Sequence, residues 1–142
     1  MRTVAERRFD DALALRKTGD NARANGVAYL IGFVIEILLK ARLVEKFSTI
    51  ASKRRHELKE NERDVWSLIW QRHDLEGMLT HLAELEAALK KKEERDRVAY
   101  LGELKKVCAT WTIQARYSSR TILMDEAADM LERVRLLKEL LK

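Results

Sequence analysis

The sequence predicts an all-α fold, and three observations indicate it. The chain has 142 residues with no proline and five glycines, and good helix formers such as Ala, Leu, Glu, Lys and Arg dominate it. Its composition, 46% hydrophobic and 36% charged, is typical of an amphipathic globular chain rather than a disordered one. Apolar residues also recur at helical spacing along most of its length. We therefore predict a single domain over residues 1–142, folded as an antiparallel four- to five-helix up-and-down bundle.

Two helices are predicted in the first third of the chain. The first runs from about Thr3 to Lys17, where apolar residues recur on one face. Gly19 then suits a helix end, and Asp20 suits the N-cap of the next helix, which runs to about Phe47. This second helix is apolar on nearly every side, which is typical of the central helix of a bundle.

Three charges interrupt the apolar stretch of the second helix, VAYLIGFVIEILLKARLV. A membrane span needs roughly 20 apolar residues with few or no charges, and Glu36, Lys40 and Arg42 argue against one here. Glu36 precedes Lys40 by four residues, which is the favourable order for an intrahelical ion pair. Two interpretations stay open: a partly buried pair that is satisfied within the core, or the polar floor of a small pocket or dimer contact.

Residues 47–72 are predicted to form a long connection with one short helix. The charged part of this connection has no sustained period, and the VWSLIW that follows is apolar enough for one or two helical turns over the core. A third helix begins near His73, with Asp74 as its N-cap. Its predicted apolar stripe consists of Leu75, Met78, Leu79, Leu82, Leu85 and Leu89.

Two further helices are predicted in the remainder of the chain. A charged turn at 90–97 separates the third helix from a fourth over about 98–115, and Ser118 or Ser119 would cap the last helix. A short heptad seam then follows, formed by Leu123, Ala127, Met130, Val134, Leu137 and Leu141, with Leu131 broadening it. We expect this seam and the tryptophans to supply the interface of a homodimer.

The net charge of +5 is mild, but the basic residues are unevenly distributed. No acid lies within residues 104–124, where four basic residues accompany aromatic ones. Arg116 and Tyr117 in this stretch could hold a phosphate and stack a base, with Arg120 close by, which would make it an RNA-binding surface. Alternatively, Arg116 caps carbonyls or pairs with Glu36 while Tyr117 packs over the second helix. We expect Glu36 to face inward, toward this corner.

The sequence offers few groups for catalysis or metal binding. His73 beside Asp74 could be a catalytic acid/base with its orienting carboxylate, or a structural histidine that precedes a capping residue. The single cysteine, Cys108, falls on an apolar helix face, and the three histidines show no ligand spacing. We therefore expect no metal and no cofactor. Since the first residues show no signal-peptide pattern, we also expect a reduced cytoplasmic protein.

Three segments, taken in order, resemble one known family. They are AYLIGFVIEILLKA (28–41), RHDLEGML (72–79) and WTIQARYSS (111–119). Together they resemble the HEPN family, small helical bundles of prokaryotes that are often encoded beside minimal nucleotidyltransferases. The resemblance covers about Arg8 to Leu137 and implies a HEPN-like helical bundle.

The resemblance also implies a function. Many members of the family resemble metal-independent endoribonucleases of toxin or antiphage systems, whose signature is an Arg, four to six residues and then a His. No arginine here precedes His56, His73 or His81 with that spacing. We therefore predict a non-cleaving or diverged component of a toxin–antitoxin or stress-defence module.

Such a component would be a homodimer that binds a nucleotidyltransferase partner protein and RNA. Glu36, Lys40, Asp74, Arg116, Tyr117 and Arg120 are the candidate binding residues. The partner could modify Tyr100 or Tyr117. The alternative is a metal-independent endoribonuclease with a non-standard site, in which Arg116 holds phosphate and His73 acts as acid or base.

Overall fold

The computed structural model describes residues 1–82, 102 and 122–141. Its α-helices are α1 (Arg2–Lys17), α2 (Ala24–Lys46), α3 (Ser48–Ala51), α4 (Arg63–Trp70), α5 (Leu75–Thr80) and α6 (Met124–Leu141). These residues form helices, 3-10 turns and loops, with no strand among them. The predicted all-α class is therefore confirmed for this part of the chain. The up-and-down order of four or five helices depends on residues 83–121, so it stays a prediction.

Helices α1 and α2 form an antiparallel hairpin, and the sequence predicted its turn correctly. Gly19 adopts a positive φ of 66°, a conformation that favours glycine. The side chain of Asp20 accepts a hydrogen bond of 2.9 Å from the backbone N–H of Ala22, which caps the 3-10 turn leading into α2. At the other end of the hairpin, Arg2 forms an ion pair of 2.7 Å with Glu45, so the two helices run in opposite directions.

Helix α2 is the central helix, as its all-round hydrophobicity predicted. It packs against α1, α3, α4, α5 and α6. Seven of its aliphatic side chains are at most 1% exposed: Val27, Ile31, Val34, Ile35, Leu38, Leu39 and Leu43. Each such side chain contributes about 1.5–3 kcal/mol through burial, so this one helix supplies a large share of the described core. No helix in the described ranges is both long enough and apolar enough to span a bilayer.

Helix α6 runs parallel to α2. Its start is bound by residues at the start of α2 and in the turn before it, and its end is bound by residues of α1 and of the end of α2. At its start, the Oδ1 atoms of Asn21 and Asn25 accept hydrogen bonds of 2.8 and 3.0 Å from the backbone nitrogens of Met124 and Ile122. At its end, Arg2 and Arg42 each donate a hydrogen bond of 3.1 Å to the carbonyl of Leu141. These bonds satisfy backbone groups that a helix leaves unpaired at its termini.

The predicted start of this last helix is wrong, and its predicted seam is confirmed only in part. It begins at Met124 rather than after Ser118 or Ser119, since the asparagines cap it from outside its own segment. The seam is confirmed at Ala127, Val134, Leu137 and Leu141, which are fully buried, whereas Leu123 is 59% exposed. Leu131, which the sequence placed beside the seam, is fully buried within it. The buried set is Met124, Ala127, Leu131, Val134, Leu137 and Leu141.

The buried seam of α6 faces the core of its own chain. Lys138 of the same helix is also largely covered, with its Nζ 2.6 Å from Glu6 and 4.2 Å from the centre of the Phe9 ring on α1. The seam is therefore occupied by α1 and α2 and cannot be the homodimer interface that the heptad pattern suggested.

The connection between α2 and α5 contains the predicted short helix, α4. Its two tryptophans attach it to the segment around α3: the indole N–H of Trp66 donates to the carbonyl of Lys53 at 3.0 Å, and that of Trp70 donates to the carbonyl of Ala51 at 3.3 Å. Val65, Leu68 and Ile69 face the core. Trp70 is 48% exposed, so it is not a core anchor.

Helix α5 is shorter than predicted. It ends at Thr80, whose hydroxyl donates to the carbonyl of Gly77 at 2.7 Å, and the chain then turns through His81 and Leu82. The Nζ of Lys46 donates to the His81 carbonyl at 2.6 Å, which satisfies an acceptor at the helix end. The prediction of one continuous helix from Leu75 through Leu82 is therefore wrong at Thr80, although Leu75, Met78 and Leu82 are buried as predicted. The rest of the predicted stripe, the 90–97 turn and the fourth helix lie outside the described residues.

Candidate functional site

A buried carboxylate lies in the middle of α2. Glu36 is 1% exposed, which confirms that it faces inward. The Nζ of Lys40, one turn later, lies 3.0 Å from the Oε1 of Glu36, so the predicted intrahelical ion pair is also confirmed. Only 12% of the Lys40 side chain is exposed. Removing a carboxylate from water is costly unless opposite charge and hydrogen bonds compensate, and Lys40 provides such compensation.

His73 reaches the same carboxylate from the loop between α4 and α5. Its Nδ1 lies 2.7 Å from the Oε1 of Glu36, while 38% of its side chain stays exposed. A carboxylate oxygen that already accepts from Lys40 accepts from Nδ1 as well, so Nδ1 carries a proton. In the neutral imidazole the proton-accepting nitrogen is then Nε2. A buried acid thus fixes both the tautomer and the orientation of a partly exposed histidine.

The structure decides between the two interpretations of His73 and Asp74: Asp74 is a capping residue, and its carboxylate does not orient His73. The Oδ1 of Asp74 accepts a hydrogen bond of 2.8 Å from the backbone N–H of Gly77, so Asp74 is the N-cap of α5. Its carboxylate therefore serves the helix end, and the carboxylate that orients His73 belongs to Glu36. Adjacent side chains diverge at the start of a helix, whereas a packed neighbouring helix can face the histidine directly.

The contact between Glu36 and His73 was not predicted from the sequence. The two residues are 37 positions apart, and no local period or spacing connects them. The one signal was that the first two segments of the HEPN-like resemblance contain them, Glu36 in residues 28–41 and His73 in residues 72–79. Only the packing of the α4–α5 loop against α2 brings the two side chains together.

The arginine next to His73 is committed to a different group. Arg72 contacts Asp64 through both the backbone carbonyl, at 3.2 Å, and the carboxylate. The Nε2 of His81 lies 3.2 Å from the other carboxylate oxygen of Asp64. The guanidinium of Arg72, and to a smaller extent the His81 imidazole, lower the pKa of the Asp64 carboxyl below its ordinary value. Arg72 is therefore held at Asp64 rather than beside the His73 imidazole.

Three candidate binding residues, Arg116, Tyr117 and Arg120, lie outside the described residues, as do Tyr100 and Cys108. The expectation that Glu36 faces the corner at 116–117 falls outside them too, although its inward orientation is confirmed. Of the predicted site residues, the structure therefore joins Glu36, Lys40 and His73 into one cluster and assigns Asp74 to a helix cap. We refer to the three joined residues as the Glu36 cluster.

The Glu36 cluster has the composition of an acid/base or polar binding site rather than of a metal centre. Within residues 1–82, 102 and 122–141, no group of three or more His, Cys, Asp or Glu side chains is arranged to hold a metal ion. A histidine whose Nδ1 is fixed by a carboxylate can exchange a proton through Nε2 or can bind a polar ligand there.

Comparisons of this chain with protein-family models, with curated proteins and with solved structures found no match.

Proposed function

We propose that this chain is a HEPN-like helical protein that works in a toxin–antitoxin or stress-defence module by binding rather than by cutting. Its partners would be a second copy of the chain, a minimal nucleotidyltransferase and RNA. The stretch with Arg116, Tyr117 and Arg120 would provide the RNA contacts, and Tyr100 or Tyr117 would be acceptors for modification by the partner.

The observation that supports this proposal is the contact of 2.7 Å between Glu36 and His73. It joins two of the three segments that resemble the HEPN family, at the residues that make those segments distinctive. Two unrelated helical segments with accidental similarity would have no reason to meet through their polar residues, because buried polar groups in a helical core are rare and need specific partners.

The ion pair between Arg72 and Asp64 supports a role without RNA cleavage. Metal-independent cleavage of RNA needs a cation to stabilise phosphate beside the acid/base group. Arg72 is the residue adjacent to His73, but its guanidinium contacts Asp64. The spacing of arginine and histidine typical of the family's ribonucleases is also missing from the sequence.

The geometry of His73 favours a second candidate function, a metal-independent endoribonuclease. A buried carboxylate at Nδ1 and a partly exposed ring form the arrangement that general acid/base catalysis uses. In this mechanism, His73 would take the proton from the ribose 2′-hydroxyl, and the 2′-oxygen would attack the phosphorus to form a 2′,3′-cyclic phosphate. The leaving 5′-oxygen would take a proton from water, and Arg116 would stabilise the phosphate charge.

One experiment separates the two candidates. The purified protein is incubated with structured and with unstructured RNA in EDTA, and both cleavage and retention on the RNA are measured at several salt concentrations. His73→Gln and Arg116→Ala are compared with the wild type, and Arg135→Ala on the exposed face of α6 serves as a control for loss of positive charge. We expect retention that weakens with salt and with Arg116→Ala, and no cleavage.

Cleavage that disappears in both His73→Gln and Arg116→Ala would replace the binding role with the ribonuclease. Absence of RNA retention would remove RNA from the proposal. Light scattering then tests for the homodimer, and co-expression with a nucleotidyltransferase encoded beside this gene tests for the partner. A monomer that neither associates with that protein nor gains nucleotide mass at Tyr100 or Tyr117 would overturn the protein-binding role.

A further inference from the structure

A groove of about 590 Å³ opens between the 3-10 turn at Arg55–Glu57 and one side of α4. This volume lies within the range of about 300–1,000 Å³ that is usual for small-molecule sites. We call it the α4 groove, and the lining side chains that matter for its chemistry are Arg55, His56, Arg63, Trp66, Ser67 and Gln71. None of the Glu36 cluster lines it, so its chemistry is separate from that of the candidate site above.

The α4 groove carries positive charge that other side chains do not neutralise. Arg55 and Arg63 are both exposed, and neither forms an ion pair with any residue of the described ranges. No carboxylate of the described residues lines the groove. Guanidinium groups without a carboxylate partner attract anions, and phosphate suits them because it can accept two parallel hydrogen bonds from one arginine.

Three of the four acids in this connection contact partners outside the groove. Glu57 accepts from the backbone nitrogen of Arg54 at 2.7 Å, Glu62 pairs with Lys53 at 2.6 Å, and Asp64 contacts Arg72. The hydrogen bond from Lys53 is the main reason why the pKa of Glu62 is lowered, so this carboxylate stays charged and paired. The charges of the connection are nearly balanced in sequence, yet none of these three carboxylates lines the groove.

The same groove offers an aromatic ring and an amide. The indole of Trp66 lines it and is fixed in place by the bond of its Nε1 to the Lys53 carbonyl. Leu58, which is 7% exposed, adds apolar surface. Gln71 also lines the groove, and its Oε1 accepts a weak bond of 3.4 Å from the Ser67 hydroxyl, so its amide nitrogen remains as a donor.

We propose that the α4 groove binds a small phosphorylated ligand with a planar ring, of the mononucleotide class. Arg55 and Arg63 hold the phosphate, the Trp66 indole contacts the ring, and the Gln71 amide donates to a polar atom on the ring edge. The charge demands an anion, the fixed aromatic surface favours a flat ring, and the volume admits a mononucleotide. This inference does not depend on the function proposed above.

The test measures binding of AMP to the full chain by isothermal titration calorimetry, with adenosine and inorganic phosphate as partial ligands. We expect saturable binding of AMP and binding at least about tenfold weaker for each partial ligand, because each loses one set of contacts. The double variant Arg55→Gln/Arg63→Gln should weaken AMP binding by at least about tenfold, and Trp66→Phe should weaken the binding of adenosine.

The double arginine variant removes exposed charges, so it should fold, and circular dichroism checks that it does. Arg133→Gln/Arg135→Gln on α6 removes the same charge elsewhere and should leave AMP binding unchanged. No binding at millimolar AMP, equal binding of adenosine and AMP, or an unchanged affinity in the groove variant would each overturn the proposal. The proposal would also be overturned if AMP did not bind while an RNA oligonucleotide bound in a way that depends on Arg55 and Arg63. The groove would then contact an RNA strand rather than hold a mononucleotide.

Discussion

The Oε1 of Glu36 on α2 and the Nδ1 of His73 before α5 lie 2.7 Å apart, and the Nζ of Lys40 contacts the same oxygen at 3.0 Å. One buried carboxylate therefore holds two groups from different parts of the chain. A buried ion pair of this kind becomes costly when one partner is removed, and this property provides the first test.

Lys40→Met should lower the free energy of unfolding by about 3 kcal/mol, because it leaves the buried charge of Glu36 with less compensation. The double variant Glu36→Gln/Lys40→Met should lose less than the sum of the two single variants. Urea denaturation of the four proteins gives the coupling energy. Arg8→Met serves as the control, since Arg8 pairs with Asp11 at an exposed site and should change stability by less than about 0.5 kcal/mol. Additive losses in the Glu36 and Lys40 variants would contradict a direct pair.

Gly77→Ala should destabilise the protein although alanine favours helix. A Cβ at Gly77 would lie 2.9 Å from Cγ of Asp74 and 3.1 Å from Cδ2 of Leu68, so the capping carboxylate would have to move. Losing that cap costs about 1 kcal/mol. Gly26→Ala on α2 is the matched control: its Cβ would meet Leu15 at 3.4 Å, an ordinary contact, and the change should stabilise by about 0.5–1 kcal/mol. If the melting temperature changed by the same amount and in the same direction in both variants, the close packing of Gly77 against Asp74 and Leu68 would be contradicted.

Asn21→Ala should lower the free energy of unfolding by about 1 kcal/mol, because the backbone N–H of Met124 loses its cap. Asn61→Ala in the connection is the control, since Asn61 is exposed and makes no such bond among the described residues. Hydrogen exchange at Met124 measures the effect locally. An exchange rate at Met124 that is the same in both variants would mean that Asn21 does not cap α6.

Asp64→Asn should make the free energy of unfolding depend less on pH in the acidic range. The folded pKa of Asp64 is lowered by the Arg72 guanidinium and then by His81, below the ordinary value of 3.8. Its contribution is therefore fully present above that value and is lost as the pH falls through the folded pKa. Because 60% of its side chain is exposed, solvent screening limits the contribution to about 0.5–1 kcal/mol.

The prediction for Asp64 is checked by urea denaturation at pH 7 and at pH 2 to 3. The wild type should exceed Asp64→Asn in stability at pH 7, and the difference should shrink in acid. Asp10→Asn on the exposed face of α1 provides the comparison, with little difference expected at either pH. A difference between wild type and Asp64→Asn that grows in acid would reverse the sign and exclude the ion pair with Arg72.

The sequence by itself determined the features that depend on residues close together along the chain. The hairpin at Gly19 and Asp20, the Glu36–Lys40 pair and the Asp74 cap depend on residues within about four positions of each other. At that distance, backbone geometry alone decides which side chains meet. Spacing in the sequence therefore predicts these features directly, and each is confirmed. The central position of α2, which is also confirmed, depends on the composition of that one helix.

The tertiary structure alone decided the contacts between distant segments. His73 contacts Glu36 rather than Asp74. Asn21 caps a helix that begins at Met124, and Lys46 donates to the carbonyl of His81, the residue that follows α5. In each case the partner is supplied by a helix whose packing depends on the whole core, so no local pattern identifies it. Arg55 and Arg63 line the basic groove beside α4, while Glu62, which lies between them in sequence, pairs with Lys53 instead.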